Sequence, residues 1–268
     1  MIQPRGESGY VQANGIRLHY LAYGRGDTDL VIVPGITSPA ITWEFVAEEL
    51  ARDYRVYTMD VRGRGLSDKP RSGYALPDYA GDTAGFIEAL GLDRPVVLGH
   101  SMGARIAAAL GALHPDAPGP LLVVDPPLTG PGRDPYPFPL HVYVDALHEA
   151  QAGATADDMR PYFPTWTDEQ LRIRAEWLTT CDETAVVETY EHFSREDFFG
   201  YWKRLRPPLA FVYGKDSPVV PPSGVEEIAA TNPAAEIAGV PSAGHMIPWD
   251  NLPGFLAEVR RFVDSVRA

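Results

Sequence analysis

The chain opens with a run that alternates apolar and polar positions. Tyr10–Ala13 and Ile16–Ala22 alternate on either side of Asn14-Gly15. That pair favours positive φ at both turn positions, so a hairpin is predicted. Beyond it, short apolar runs take turns with segments whose apolar residues recur three and four apart, the mark of alternating strands and helices. The strands are Leu30–Val33 (ending at Pro34-Gly35), Arg55–Met59, Pro95–Gly99 and Leu121–Val124 (ending at Asp125). The helices are Trp43–Ala51, Asp78–Leu90 with Asp78 as N-cap, and Met102–Leu113. The last carries a face of Gly103, Ala104, Ala107 and Ala108, small enough for close packing on a sheet.

From Pro126 to about Arg206 this rhythm breaks into a stretch rich in proline, aromatic and charged residues. Helical patches remain at Thr167–Leu178 and Cys181–Phe193, and Tyr136, Phe138, Tyr143, Phe163, Trp166 and Tyr190 are among the aromatics. Alternation resumes with strand Leu209–Tyr213, a helix from Pro222, strand Ala235–Val240 and a final helix from about Asn251 to Val266. A repeating strand-helix order predicts an α/β fold with a mainly parallel central sheet flanked by helices. The irregular block then reads as an insertion at the carboxyl end of a strand, where such sheets place their ligand crevice. We expect one domain over 1–268, with a core at about 1–127 and 207–268 and a helical lid at about 128–206.

Composition narrows the function classes. With 268 residues, 45% of them hydrophobic and 22% charged, the chain can bury one α/β core. Its formal net charge of -13 argues against nucleic acid as a partner, which needs a basic face. No apolar stretch approaches the ~20 residues of a membrane span. The single cysteine, Cys181, cannot form an internal disulfide. A cytoplasmic protein, a monomer or small homo-oligomer away from membranes, is expected. An anionic small-molecule substrate would need a local cation to reverse the field.

The chemistry is concentrated in Gly99-His100-Ser101-Met102-Gly103, a G-x-S-x-G sequence between an apolar strand and an alanine-rich helix. Such an elbow is a sharp strand-to-helix turn that exposes the serine Oγ. A serine hydroxyl needs a neighbouring base to act as a nucleophile. His245, in Pro241-Ser242-Ala243-Gly244-His245, returns from the last strand to the same sheet edge. His100 should point away from Ser101 by strand alternation. The backbone N–H groups of Met102 and of Ile36, in Pro34-Gly35-Ile36-Thr37, are the candidate oxyanion donors. Two acids, Asp125 and Asp216, lie at strand ends between Ser101 and His245 and satisfy the order serine, acid, histidine. His141, His148 and His192 lack metal-ligand spacing.

Together these segments, with Asp60-Val61-Arg62-Gly63-Arg64-Gly65-Leu66-Ser67, resemble the α/β-hydrolase superfamily over essentially the whole chain. The resemblance implies serine hydrolase chemistry, and a structural role for Asp60 and Arg62. Members usually place the acid in a G-x-x-D segment followed by a proline. Here Gly214-Lys215-Asp216-Ser217-Pro218 puts Ser217 at that position and Asp216 one residue early. Other members carry the acid on the strand next to the serine strand, which favours Asp125.

Val33-Pro34-Gly35-Ile36-Thr37-Ser38, Val124-Asp125-Pro126-Pro127 and Gly244-His245-Met246-Ile247-Pro248-Trp249 add a finer resemblance, to the N-formyl amide deformylases of aerobic nicotinate degradation. It implies cleavage of a C–N bond in a small anionic substrate without metal or cofactor. Arg160, Arg172, Arg174, Arg195, Lys203 and Arg204 are then candidate carboxylate anchors among which the sequence does not choose. A carboxylesterase, lactonase or C–C bond hydrolase of the same fold is the alternative, and a non-catalytic ligand-binding receptor a remoter one.

Overall fold

The computed structural model describes residues 1–267. The hairpin forms from β1 (Glu7–Ala13) and β2 (Ile16–Tyr23), with Asn14 and Gly15 both at positive φ. Then follow β3 (Asp29–Val33), α1 (Glu44–Leu50), β4 (Arg55–Met59), α2 (Leu76–Ala89), β5 (Val96–His100), α3 (Met102–Leu113) and β6 (Leu121–Val124). Five helices occupy the stretch before β7: α4 (Leu140–Gln151), α5 (Ala156–Met159), α6 (Asp168–Trp177), α7 (Glu183–Arg195) and α8 (Phe198–Trp202). The chain ends with β7 (Leu209–Gly214), α9 (Pro222–Thr231), β8 (Glu236–Val240), α10 (Ile247–Asp250) and α11 (Leu252–Arg267).

The strands form one eight-stranded sheet in the order β1-β2-β4-β3-β5-β6-β7-β8. β2 is antiparallel to both its neighbours, and every pairing from β4 to β8 is parallel. Its two faces carry separate cores. Val31, Val33, Val97, Val123 and Phe211 pack with α2 and α3, whereas Leu30, Ile32, Leu98, Leu122 and Val212 pack with α1 and α11. The inner strands are apolar at nearly every position because helices cover both sides. α2 starts two residues earlier than the sequence pattern predicts, so Asp78 is not its N-cap. Instead its carboxylate accepts from the Ala75 N–H at 3.1 Å, inside the first turn. No helix among the described residues is long and apolar enough to cross a membrane.

Candidate active site

The ends of the parallel strands β5, β6 and β8 deliver the site. β5 and β6 are in register with His100 opposite Val124, so the next residues, Ser101 and Asp125, sit side by side where both strands end. Both have positive φ, +58° and +48°. That conformation is costly for residues with a side chain and persists only where surroundings enforce it. Here the ladder continues past the strands to enforce it: the Ser101 N–H donates to Val124 O at 2.9 Å and the Asp125 N–H to Val212 O at 2.8 Å. The elbow glycines serve close approach rather than unusual φ. A Cβ on Gly103 would overlap the Val33 carbonyl oxygen, and one on Gly99 the Gly103 carbonyl oxygen.

His245 comes from the loop after β8. Its Nε2 stands 3.0 Å from Ser101 Oγ and its Nδ1 2.8 Å from Asp125 Oδ2. A carboxylate at Nδ1 holds the proton there and leaves the Nε2 lone pair facing the serine hydroxyl. Asp125 is fully buried and is met by two more donors: Ser217 Oγ at 2.6 Å on Oδ2 and the Gly214 N–H at 3.1 Å on Oδ1. The His245 loop is pinned by the Gly244 N–H on Asp250 Oδ2 (2.9 Å), the Asp216 N–H on Ala243 O (2.9 Å) and Asn251 Nδ2 on Pro241 O (2.9 Å).

Asp216, the other candidate acid, is exposed; its carboxylate makes no hydrogen bond to His245, and Ser217 occupies the space beside Asp125 instead. His100, expected to point away from Ser101, instead lines the same cavity as Ser101 and His245. It is buried, its Nε2–H donates to the His245 carbonyl at 2.8 Å, and its ring lies 5.0 Å from the His245 ring. Burial pulls its pKa from 6.5 down to about 3, so it stays neutral.

The amides of Ile36 and Met102 donate to no protein acceptor among the described residues, and both residues are buried beside Ser101. Two guanidinium groups hold the oxyanion loop 35–37. Arg64 Nε–H donates to Ile36 O at 2.9 Å, and the Arg174 guanidinium bonds both oxygens of Thr37. Asp60 and Arg62 do not pair with each other. Asp60 accepts from His19 Nδ1 (2.6 Å) and the Ala40 N–H (2.6 Å), while Arg62 clasps Asp82 (2.5 Å). Both stabilise the loop after β4, away from the reacting groups.

A cavity of about 240 Å³ opens above Ser101. Its floor is Gly35–Ser38, Ser101 and His245, and its walls include Phe138, Tyr143, Phe163, Trp166 and Arg174 from the stretch between β6 and β7. Tyr136, buried behind the cavity lining, places its hydroxyl 3.4 Å from His245 Nε2 and accepts from the Tyr143 hydroxyl at 3.4 Å. Burial raises the Tyr136 phenol well above its usual pKa, so it remains protonated. The sequence carries no signal for this tyrosine, which sits in a proline-rich loop outside any periodic pattern. Of the insertion histidines, His148 pairs with Glu183 at 2.8 Å and His192 lies 3.7 Å from Glu196, while His141 is exposed. No cluster of three or more potential metal ligands occurs among the described residues.

Such a serine-histidine-aspartate chain at the carboxyl edge of a parallel sheet defines a hydrolase site, and the chain belongs to the Alpha/beta hydrolase family, which it matches over residues 30–259. It is an enzyme of that family. Among curated proteins it is 48% identical to the N-formylmaleamate deformylase of Pseudomonas putida, over 96% of each chain. It is 26% identical to the 2-(acetamidomethylene)succinate hydrolase of Mesorhizobium japonicum, over 86% of each chain. Among solved structures, an N-formylmaleamic acid deformylase from Pseudomonas putida S16 superposes with a TM-score of 0.90 at 44% identity, covering 94% of this chain and all of that one.

Proposed function

We propose that this protein is a serine amidase that deformylates N-formylmaleamate, giving maleamate and formate in nicotinate catabolism. The observation that carries the reading is the unbroken chain Ser101 Oγ, His245, Asp125 (3.0 and 2.8 Å) facing a cavity of about 240 Å³. The 48% identical relative is named for that substrate.

In this reading Ser101 Oγ attacks the formyl carbon while His245 Nε2 takes its proton. Asp125 keeps the imidazole in the productive tautomer and stabilises its cation. The Ile36 and Met102 amides donate to the oxyanion of the tetrahedral intermediate. Collapse breaks the C–N bond as His245 returns the proton to nitrogen. The leaving group is the amide of maleamate, whose nitrogen already shares its lone pair with a second carbonyl. It departs more readily than an amine. Water, deprotonated by His245, then attacks the formyl ester of Ser101 and releases formate. The helical stretch 128–206 is the lid, a part of the single α/β-hydrolase domain. A cavity of about 240 Å³ with aromatic walls fits a small substrate. Formate release from N-formylmaleamate by the purified protein is the test. Brisk ester cleavage with no formate from this substrate would instead assign it to the esterases of the same fold.

A further inference from the structure

Arg174, on α6, is the one cationic side chain among the described residues that lines the cavity above Ser101. It is 7% exposed and makes no salt bridge to any described acid. Its Nη1 and Nη2 donate to Thr37 O and Thr37 Oγ1, and its Nε has no hydrogen-bond partner. A guanidinium offers about five N–H donors in a planar fork, so most of this one's capacity is unspent.

The protein's other buried arginines differ. Arg62 is neutralised by Asp82. Arg64 is surrounded by Ile36 O, Arg62 O, the Tyr79 hydroxyl, Thr189 Oγ1 and Ala185 O. Arg105 shares the unpartnered Nε, but its terminal nitrogens are taken up by the carbonyls of Pro127, Thr129 and Glu196. Neither Arg64 nor Arg105 borders the cavity.

Burial lowers the Arg174 pKa, which marks a charge held without compensation. Phe163 flanks the cation at 5.6 Å. The Tyr136 hydroxyl lies 3.4 Å from both His245 Nε2 and the hydroxyl of Tyr143, and Tyr143, which lines the cavity, feels the Arg174 charge.

We infer that Arg174 binds the carboxylate at the far end of the substrate, so that the site selects short monoanions with an acyl amide at one end and a carboxylate at the other. The inference rests on the amidase reading above. Exposed Arg160, Arg172, Arg195, Lys203 and Arg204 do not reach the cavity. With a net charge of -13, a local cation counters the field that an anion meets on entry.

A merely structural Arg174 would act through Thr37 on the Ile36 loop and would be indifferent to ligand charge. Titration calorimetry separates the two roles without turnover, using Ser101→Ala protein with Arg174 intact or replaced. The ligands are maleamate and its uncharged isostere maleamide. Arg174→Gln weakens maleamate binding about 100-fold and maleamide binding by less than about threefold. Arg174→Lys recovers part of the loss, and it carries the same comparison if the glutamine variant does not fold. Equal weakening of both ligands, or of neither, overturns the assignment, and so does failure of maleamate to bind with Arg174 intact. Failure to release formate from N-formylmaleamate would count against the deformylase reading alone, because binding of the carboxylate is measured separately.

Discussion

The strand ends of the core and the helical stretch between β6 and β7 contribute to the cavity in different ways. The core supplies Ser101 and Asp125 at positive φ, tied by backbone ladder bonds, and His245 from a loop pinned by hydrogen bonds. The helical stretch supplies aromatic rings, two phenols and a guanidinium, on helices joined to the sheet mainly by side-chain packing. Reacting atoms need placement within a fraction of an ångström, which strands in a buried sheet provide. Groups that recognise the rest of a substrate tolerate more movement and can sit on a less constrained scaffold. Substitutions in the first region should therefore fall on kcat, and those in the second on KM and substrate choice.

The sharpest way to break this division is at the acid. Asp125→Asn should lower kcat by about 10⁴, since an amide in place of the carboxylate favours the wrong imidazole tautomer. Asp216→Asn should leave kcat within about twofold, as its carboxylate points to solvent. Ser217 Oγ lies 2.6 Å from Asp125 Oδ2, so a carboxylate grown from position 217 enters the same space. Ser217→Asp in the Asp125→Asn background should restore kcat at least about tenfold. Steady-state kinetics on all four proteins decide it, and a loss in Asp216→Asn as large as in Asp125→Asn would remove Asp125 from its role.

The opposite region is probed at Tyr136. Its hydroxyl is 3.4 Å from His245 Nε2, too long for a strong bond but close enough to orient a bound carbonyl or amide. Tyr136→Phe should raise KM about tenfold and leave kcat within about threefold, a loss of one neutral hydrogen bond. A kcat fall approaching that of Asp125→Asn, measured on the same substrate, would place Tyr136 with the reacting groups instead.

The two regions were also unequally legible from sequence. Met102–Leu113 and Leu121–Val124 coincide with α3 and β6, because buried apolar runs and a small-residue helix face leave few alternatives. Ser101 and His245 stand in local motifs whose meaning comes from the strand before and the helix after, so their meeting could be anticipated across 144 residues. In the inserted stretch α4, α5 and α8 escaped the pattern, being short or half-exposed among prolines and aromatics whose burial depends on tertiary partners. Arg172 and Arg174 look alike as sequence, yet Arg172 is exposed and Arg174 buried. Helix phase holds the missing signal: Leu171, Arg174, Ala175 and Leu178 recur at three and four residues on the buried face, and Arg172 falls off it.

The smallest effect expected concerns stability rather than rate, and it tests how rigidly the core holds His245. His100 is buried under Trp43 and Trp249 and donates to the His245 carbonyl at 2.8 Å. In the folded protein its pKa falls to about 3, against 6.5 in the open chain. Between those values the unfolded chain binds the proton and the folded one does not. Stability is therefore complete above about pH 6.5 and is lost on acidification, by up to about 1.4 kcal/mol per pH unit. His100→Gln keeps an N–H for the His245 carbonyl but does not titrate. From about pH 7 to about pH 5.5, urea unfolding should show the parent protein losing about 1 kcal/mol more than the variant. Parallel losses in the two proteins would mean that His100 is free to take up its proton while folded, and that the support behind His245 is looser than its neighbouring strands.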